Sequence, residues 1–444
     1  MENSVPRLKL GDVLAVYEPI HVLGTTFTLS LAFFESSVWP RIKTNRLSNF
    51  LIISDRIGLS RAYQEAPALK LAGREYVATA APTRRTFHPK VWLLIEERRA
   101  LLLVGSGNLT QAGFMENLEL FEAIEMGPEI KCSAKLREDV QEFLKGLRSL
   151  WPVQDLSDEL PALRALDQIL KAFADLPSEI SESKECKRRL FHSFQGKFTE
   201  LLPQLEERQT LSVASPYFGG SEKGLVRLKA SLKAKRVAVY PAVHRDDGVD
   251  LNVMQKNSLE GFEFHRMKVE GDRFAHLKLI SATGVQGKDW IFSGSINCTD
   301  AALSAENIEA GLWRPLDKKT SQAYFEKDQA PLPSKRTELA TVNSDSVSGS
   351  IHFSAVFNGS SLKLYPAITQ NPVKDVSITV STSSREFNAH FDRAFEDQGS
   401  LNLGLNSFGK PLHFSGSAVV SVSAKSNDGN HVEGKALVDD STVI

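Results

Sequence analysis

Only three cysteines, Cys132, Cys186 and Cys298, occur in 444 residues. Their spacing fits neither a zinc site nor a disulfide framework, which points to a reducing compartment. An excess of one charge is lacking too: 53 basic and 54 acidic side chains nearly cancel. That balance excludes a protein that coats nucleic acid by bulk charge, and it leaves room for a local basic groove. No apolar run approaches the roughly 20 residues of a membrane span. The most apolar early stretch, Thr26 to Phe34, is far shorter. The N-terminal MENSVPRLKLGD lacks the basic-then-apolar order of a signal peptide. A phosphate-cradling Gly-x4-Gly-Lys-Ser/Thr loop is also missing, so any ATP-driven motor must be a separate subunit. These absences predict a cytoplasmic protein with no membrane partner. No cluster of metal ligands appears, and no cofactor is expected.

What is present is ordinary globular composition, 42% hydrophobic and 24% charged, in a chain long enough for two or three domains. Thr25–Phe34 and Asn49–Ile53 predict buried strands. Val91–Ile95 and Ala100–Val104 predict a strand pair around a polar turn, Glu96-Glu97-Arg98-Arg99. Between 133 and 207, Leu136, Val140, Phe143, Leu144 and Leu147 recur at helical steps, and Pro152, Pro161 and Pro177 divide the region into separate helices. A second strand-and-helix set begins at Leu211, with Val237–Tyr240 and Trp290–Phe292 as inner strands. After about Pro333, alternation such as Val376, Ile378 and Val380 against Ser377, Thr379 and Ser381 predicts antiparallel strands with one buried face. The expected fold class is α/β: two pseudo-repeated mixed-sheet halves sharing one site, plus a C-terminal all-β sandwich. The expected boundaries are 1–132 for the first half, 133–208 for a helical linker, 209–333 for the second half and 334–444 for the sandwich.

Two segments resemble each other. The first runs Phe87-His88-Pro89-Lys90, Gly105-Ser106-Gly107-Asn108-Leu109-Thr110, Asn117-Leu118-Glu119. The second runs Ala275-His276-Leu277-Lys278, Gly294-Ser295-Ile296-Asn297-Cys298-Thr299, Asn307-Ile308-Glu309. Lys to Gly spans 15 and 16 residues, and motif Asn to Glu spans 11 and 12. Differences of one residue are what a changed turn produces. A single His-x-Lys carries almost no information; two copies at matched distance are a strong signal.

This pattern resembles the phospholipase D superfamily over roughly residues 20–130 and 205–315. The resemblance implies two halves set face to face, with both His-x-Lys elements in one active site, so that a monomer completes the site. The family's fuller motif carries an Asp after the Lys. Neither copy has it, and Ile95 stands there in the first. That departure resembles the tyrosyl-DNA phosphodiesterases and some bacterial nucleases, and it implies a metal-independent phosphodiesterase acting on nucleic acid, DNA before RNA, in restriction, antiviral defence or repair. A helicase or ATPase would be a separate partner. The alternatives are a phospholipase or phosphatidyltransferase acting on lipid headgroups, and a non-catalytic nucleic-acid-binding scaffold.

The chemistry suits these residue types. A neutral imidazole can attack phosphorus while an imidazolium protonates the leaving oxygen, so the two histidines are expected as a coupled pair, one neutral and one charged. His88 is assigned as nucleophile and His276 as general acid. Lys90, Lys278, Asn108 and Asn297 are expected to hold the non-bridging oxygens. Glu119 and Glu309 are expected to accept from the second nitrogen of each imidazole. Ser106 and Ser295 are assigned to positioning the phosphate or the neighbouring backbone. Arg84 and Arg85 fit either a basic rim for a polyanion or a solvated loop. Tyr217 and Phe218 in LSVASPYF fit a core better than a pocket.

Overall fold

The protein is described by a computed structural model that covers residues 10–443, except 129, 152–158, 178, 181–186, 245, 252–259, 270, 286, 317–323, 334–349, 367–371, 397–398, 409–411, 413 and 415. Cys186, Pro152 and the expected boundary at 334 lie outside the described residues. The chain is α/β with several mixed sheets. It divides into two compact units, neither of them a continuous stretch.

One unit gathers Met1–Val16, Arg85–Phe143 and Asp175–Leu339. In it, strands Val91–Ile95, Ala100–Gly105 and Phe121–Met126 form an antiparallel meander. Val91–Ile95 and Ala100–Gly105 are buried on both faces, which suits their unbroken apolar run. A seven-stranded sheet follows in the order Phe262–Phe264, Val237–Pro241, Thr210–Ser215, Leu279–Thr283, Trp290–Gly294, Ala310–Pro315, Arg189–His192. Its first three strands are parallel and the rest are antiparallel. Alternation sorts its side chains. Val213, Val239, Ile280 and Phe292 face a core with Leu225 and Leu228 of helix Lys223–Ser231. Ala214, Tyr240, Leu279 and Ile291 face the other way, against Leu118 and Leu120 from the first motif copy. The strand Arg189–His192 falls inside the segment expected to be a helical linker. It is fixed by Asp139, whose carboxylate takes Arg189 Nε at 2.6 Å, Arg189 Nη2 at 2.9 Å and Leu190 N at 3.1 Å. A four-residue edge strand with two polar ends offers too short a pattern to read from sequence.

The other unit gathers Tyr17–Arg84, Leu144–Ala174 and Ala340–Ile444. Three parallel strands, His21–Thr26, Asn49–Ser54 and Val77–Ala80, lie in it. The expected strand over Thr25–Phe34 ends at Thr26. Ser30 caps a helical turn by accepting from Phe33 N at 3.2 Å, and helical geometry runs from Leu31 to Arg41. Helix Pro161–Asp175 begins at the proline expected to break it, because a first-turn proline loses no hydrogen bond. The C-terminal strands pair as one seven-stranded order, Glu386–Ala394, Val373–Ser381, Val419–Lys425, His431–Asp440, Phe353–Phe357, Ser361–Pro366, Leu401–Gly404. The inward Val376, Ile378 and Val380 join Phe353, Leu364, Val420 and Val438 in one core. These strands do not stand apart as a separate domain: Asp440 N donates to Gly73 O at 2.7 Å, and Ser417 Oγ donates to Ala72 O at 2.8 Å. That knitting is why the expected boundaries along the chain differ from the compact units.

Within this unit Asp439 is buried, its Oδ1 has no partner among the described residues, and Arg164 only partly offsets the cost. Burial pushes the carboxyl up to about 8. An unfolded aspartate titrates near 3.9, so the folded state holds the extra proton between these values, and stability falls as pH rises through that window. Asp439→Asn is therefore expected to raise the urea unfolding free energy at pH 7.5 by on the order of 1–3 kcal/mol, with a higher midpoint, and to change it least near pH 4. An unchanged midpoint at pH 7.5 would show that the carboxyl is not held protonated.

Candidate active site

His88 and Lys90 lead into strand Val91–Ile95, and His276 and Lys278 into Leu279–Thr283. The segment before each histidine pairs with the Asn-x-Glu segment of the other motif copy. Phe87 bridges Ile308 and Leu118 bridges Ala275, both in parallel. His88 N donates to Ile308 O at 2.8 Å, and Ile308 N donates to Thr86 O at 2.8 Å. Reciprocally, Leu118 N donates to Phe274 O at 2.9 Å, and His276 N donates to Leu118 O at 3.0 Å.

This crossing carries each glutamate to the other copy's histidine. His88 Nδ1 lies 2.8 Å from Glu309 Oε2, and His276 Nδ1 lies 2.8 Å from Glu119 Oε1. A carboxylate can only accept, so each ring presents Nδ1–H and keeps Nε2 as its basic nitrogen. The glutamates are themselves held. Ser106 Oγ donates to Glu119 Oε2 at 2.6 Å and Asn117 Nδ2 to Glu119 Oε1 at 3.1 Å. Ser295 Oγ donates to Glu309 Oε2, and Asn307 Nδ2 donates to Glu309 Oε1 at 3.4 Å. The glycine before each serine has a steric cause. A Cβ on Gly105 would stand 2.6 Å from Leu120 O, and one on Gly294 would stand 2.4 Å from Ala310 O. Only glycine lets the two segments approach closely enough for the serine to reach the glutamate.

The hydroxyls of Ser106 and Ser295 are spent on glutamates and on the backbone of Leu120 and Ala310, so these serines brace the carboxylates rather than a phosphate. Arg85 spans the carbonyls of Ala305, at 2.5 Å, Asn307, at 3.0 Å, and Glu306, at 3.3 Å, and so clamps the loop before Glu309. Arg84 is exposed and lies in the other unit. Asn108 and Asn297 each follow their serine by two residues and are half-buried. The Oδ1 end of the Asn297 amide is buried without a partner among the described residues.

The electrostatics tie the two copies together. Lys90 is fully buried, and its Nζ donates to His88 O at 2.7 Å. Lys278 Nζ donates to His276 O at 3.0 Å and stands 3.0 Å from His276 Nε2. Burial lowers His88 to about 4; Lys90 and Lys278 act in the same direction, and Glu309 opposes them. Burial likewise lowers His276 to about 4, with Lys278 and Lys90 adding and Glu119 opposing. Each histidine thus feels the lysine of the other copy. Burial pushes both glutamates up, but the facing histidine, the nearby lysine and the serine outweigh it and hold each carboxyl below its usual value. The protonation that satisfies both partners is an ionised glutamate beside a neutral imidazole. Burial thus favours the neutral form of both rings in the absence of substrate. Burial lowers Lys278 to about 8, with both glutamates opposing. Among the described residues, no group of three or more His, Cys, Asp or Glu is placed to hold a metal. No helix among them is long and apolar enough to cross a membrane.

No family model matches the chain, and no curated protein does. Among solved structures, the yeast tyrosyl-DNA phosphodiesterase is similar at 13% identity and a TM-score of 0.47, over 72% of this chain and 88% of that one. A mutant of the same enzyme is similar at 12% identity and a TM-score of 0.47, over 70% and 86%. The polyphosphate kinase from Porphyromonas gingivalis is similar at 10% identity and a TM-score of 0.35, over 73% and 51%. Likeness at this level matches no individual residue of those proteins to one of this chain.

Sequence reasoning quoted Asn117 and Asn307 as spacing marks and gave them no role. It passed over Ser193, whose Oγ accepts from Glu309 N at 2.9 Å. Nothing in their spacing distinguished them from solvated loop residues. The crossed pairing has a direct test. In ring-nitrogen NMR at pH 6, both imidazoles are expected as neutral Nδ1–H tautomers. Glu309→Gln should shift the His88 signals and push its titration still lower, because the opposing negative charge is gone; Glu119→Gln should do the same to His276. Each variant should lose roughly 10²–10⁴ in turnover. A shift of His276 in Glu309→Gln would show that the pairing is not crossed.

Proposed function

We propose that this chain is a metal-independent phosphodiesterase of the phospholipase D type, acting on nucleic acid through a phosphohistidine at His88. The observation that carries the proposal is the pair of crossed His–Glu contacts around two buried lysines. Under this proposal the two motif copies are pseudo-repeats, and each gives one histidine, one lysine and one asparagine to a single site.

In the first step the Nε2 lone pair of His88 attacks phosphorus, while Glu309 holds Nδ1–H and steadies the positive charge the ring gains. The phosphorus–oxygen bond to the leaving group breaks, and His276 gives that oxygen its proton. In the second step neutral His276 takes a proton from water. The hydroxide attacks phosphorus and returns the electron pair to His88. Lys90, Lys278 and the amide N–H groups of Asn108 and Asn297 hold the non-bridging oxygens. Two neutral rings suit the nucleophile but not the acid. The missing proton arrives with the substrate, whose negative charge offsets the lysines and raises the His276 pKa. Charge loss at Lys278 should make activity fall above about pH 8.

The test compares single-stranded DNA, duplex DNA, RNA and phosphatidylcholine vesicles, each in EDTA. Cleavage of a nucleic acid is expected to survive chelation. Loss of activity that magnesium restores would place the protein in another mechanistic class, and turnover of the vesicles alone would make it a lipid enzyme. His276→Asn should accumulate a phosphoryl adduct on His88 with a good leaving group, and His88→Asn should form none. Both variants should lose at least about 10³ in turnover, since the two rings act as a unit. An adduct on His276 would exchange the two roles.

A further inference from the structure

We infer that Tyr217, His244 and Phe274 form a stacking subsite for the nucleobase on the leaving-oxygen side of the scissile phosphate. The inference rests on the phosphodiesterase proposal and on His276 as the acid. It begins from four rings in contact. Tyr217 meets His276 edge-on, with centroids 6.1 Å apart at 76°, and Phe274 lies 5.9 Å from His276. His244 closes the circuit at 5.6 Å from Tyr217 and 5.0 Å from Phe274.

Exposure separates these rings from core packing. Elsewhere Phe34, Phe50 and Tyr76 also cluster, but they are no more than 2% exposed. Tyr217, His244 and Phe274 are each half-buried, and one neighbour of the group is His276 itself. Tyr217 and His244 follow strands Thr210–Ser215 and Val237–Pro241, which are adjacent and parallel. Crevices at the carboxyl ends of parallel strands are where such sheets bind ligands. Two anchors fix the wall. Asp250 accepts from Phe218 N at 2.6 Å and Gly219 N at 3.1 Å, pinning the turn that bears Tyr217. His244 Nε2 donates to Pro216 O at 3.1 Å, which leaves Nδ1 as an acceptor.

The occupant follows from the chemistry of the wall. Its faces are aromatic and its edges polar. The Tyr217 hydroxyl has no hydrogen-bond partner among the described residues, yet it lies near enough to Glu119 and Asp250 for both, after burial, to raise its pKa. A flat heteroaromatic ring with edge donors and acceptors uses both properties; a saturated acyl chain uses only the faces. Base stacking is sequence-tolerant, so the subsite selects an unstacked base rather than a particular one. The substrate class becomes single-stranded nucleic acid, or a frayed end.

The experiment uses the native protein and a single-stranded DNA oligonucleotide with one abasic residue placed on either side of the cleaved bond. The abasic residue on the leaving-oxygen side is expected to lower kcat/KM about tenfold, and one on the other side should change it much less. In Phe274→Leu and in Tyr217→Leu the ratio of intact to abasic substrate should collapse toward one, whatever the absolute rate. A second arm needs no cleavage: 2-aminopurine in the same oligonucleotide should be quenched on binding to native protein and to His88→Asn, and less so when Phe274→Leu is added. Cleavage without base dependence, dependence confined to the opposite side, or no quenching would overturn the subsite while leaving the phosphodiesterase proposal standing. Quenching without cleavage would overturn that proposal and keep the base-binding wall.

Discussion

Each histidine of the duplicated motif is completed by a carboxylate from the other copy, and the rest of the site depends on that crossing. The backbone bridges Phe87–Ile308 and Leu118–Ala275 bring the copies into register, and the His88–Glu309 and His276–Glu119 contacts follow from it. A half with its own glutamate beside its own histidine could keep its ring oriented alone. Here neither can. The orientation of both imidazoles is lost if the copies separate, so the site exists only when both are in place. The short-range devices serve this one contact: glycine for close approach, serine and asparagine to hold the carboxylate, and Arg85 to clamp the loop that delivers Glu309.

Much of this was legible in the sequence, because a motif repeated at matched spacing is a local signal. His88, Lys90, His276, Lys278 and the Asn and Glu positions stood out that way, and the strands around them followed from unbroken apolar runs. The partner of each glutamate was not legible. Spacing within one copy cannot say whether a carboxylate turns to its own half or across. The serines were read as positioning the phosphate or the neighbouring backbone, and which one could not be told: their use is set by a segment 13 or 14 residues away that folds back against them. Arg85 was left open between a basic rim and a solvated loop, because a basic pair before His88 has the same composition whether it faces solvent or three carbonyls.

The compact units were the least legible feature. Periodicity gives strands and helices but not their neighbours, and the C-terminal strands join residues near 72 more than 340 positions away. Tyr217 and Phe218 show the same limit on a smaller scale. They are adjacent in sequence and equally aromatic, yet Phe218 is sealed in the core while Tyr217 meets His276. A one-residue step at the end of a strand reverses the direction of a side chain, and no composition argument separates the two.

Charge balance explains why such a buried site can hold its groups. Two lysines and two glutamates offset one another, and burial favours the neutral form of both imidazoles, which keeps the net buried charge small. Unpaired charges there would be costly, whereas an alternating cluster is tolerable. A phosphodiester brings one negative charge and upsets that balance. One proton on one ring restores it, and the mechanism needs that proton on the acid. Under the proposed mechanism, the burial that favours neutral rings would make proton uptake accompany substrate entry. Lys278 Nζ stands 3.0 Å from His276 Nε2, and Lys90 Nζ donates to the His88 carbonyl. An anion that draws Lys278 toward its own oxygens relieves the pressure on His276 and frees that nitrogen to take the proton. Under the proposed mechanism, a single lysine would couple phosphate binding to the arming of the acid.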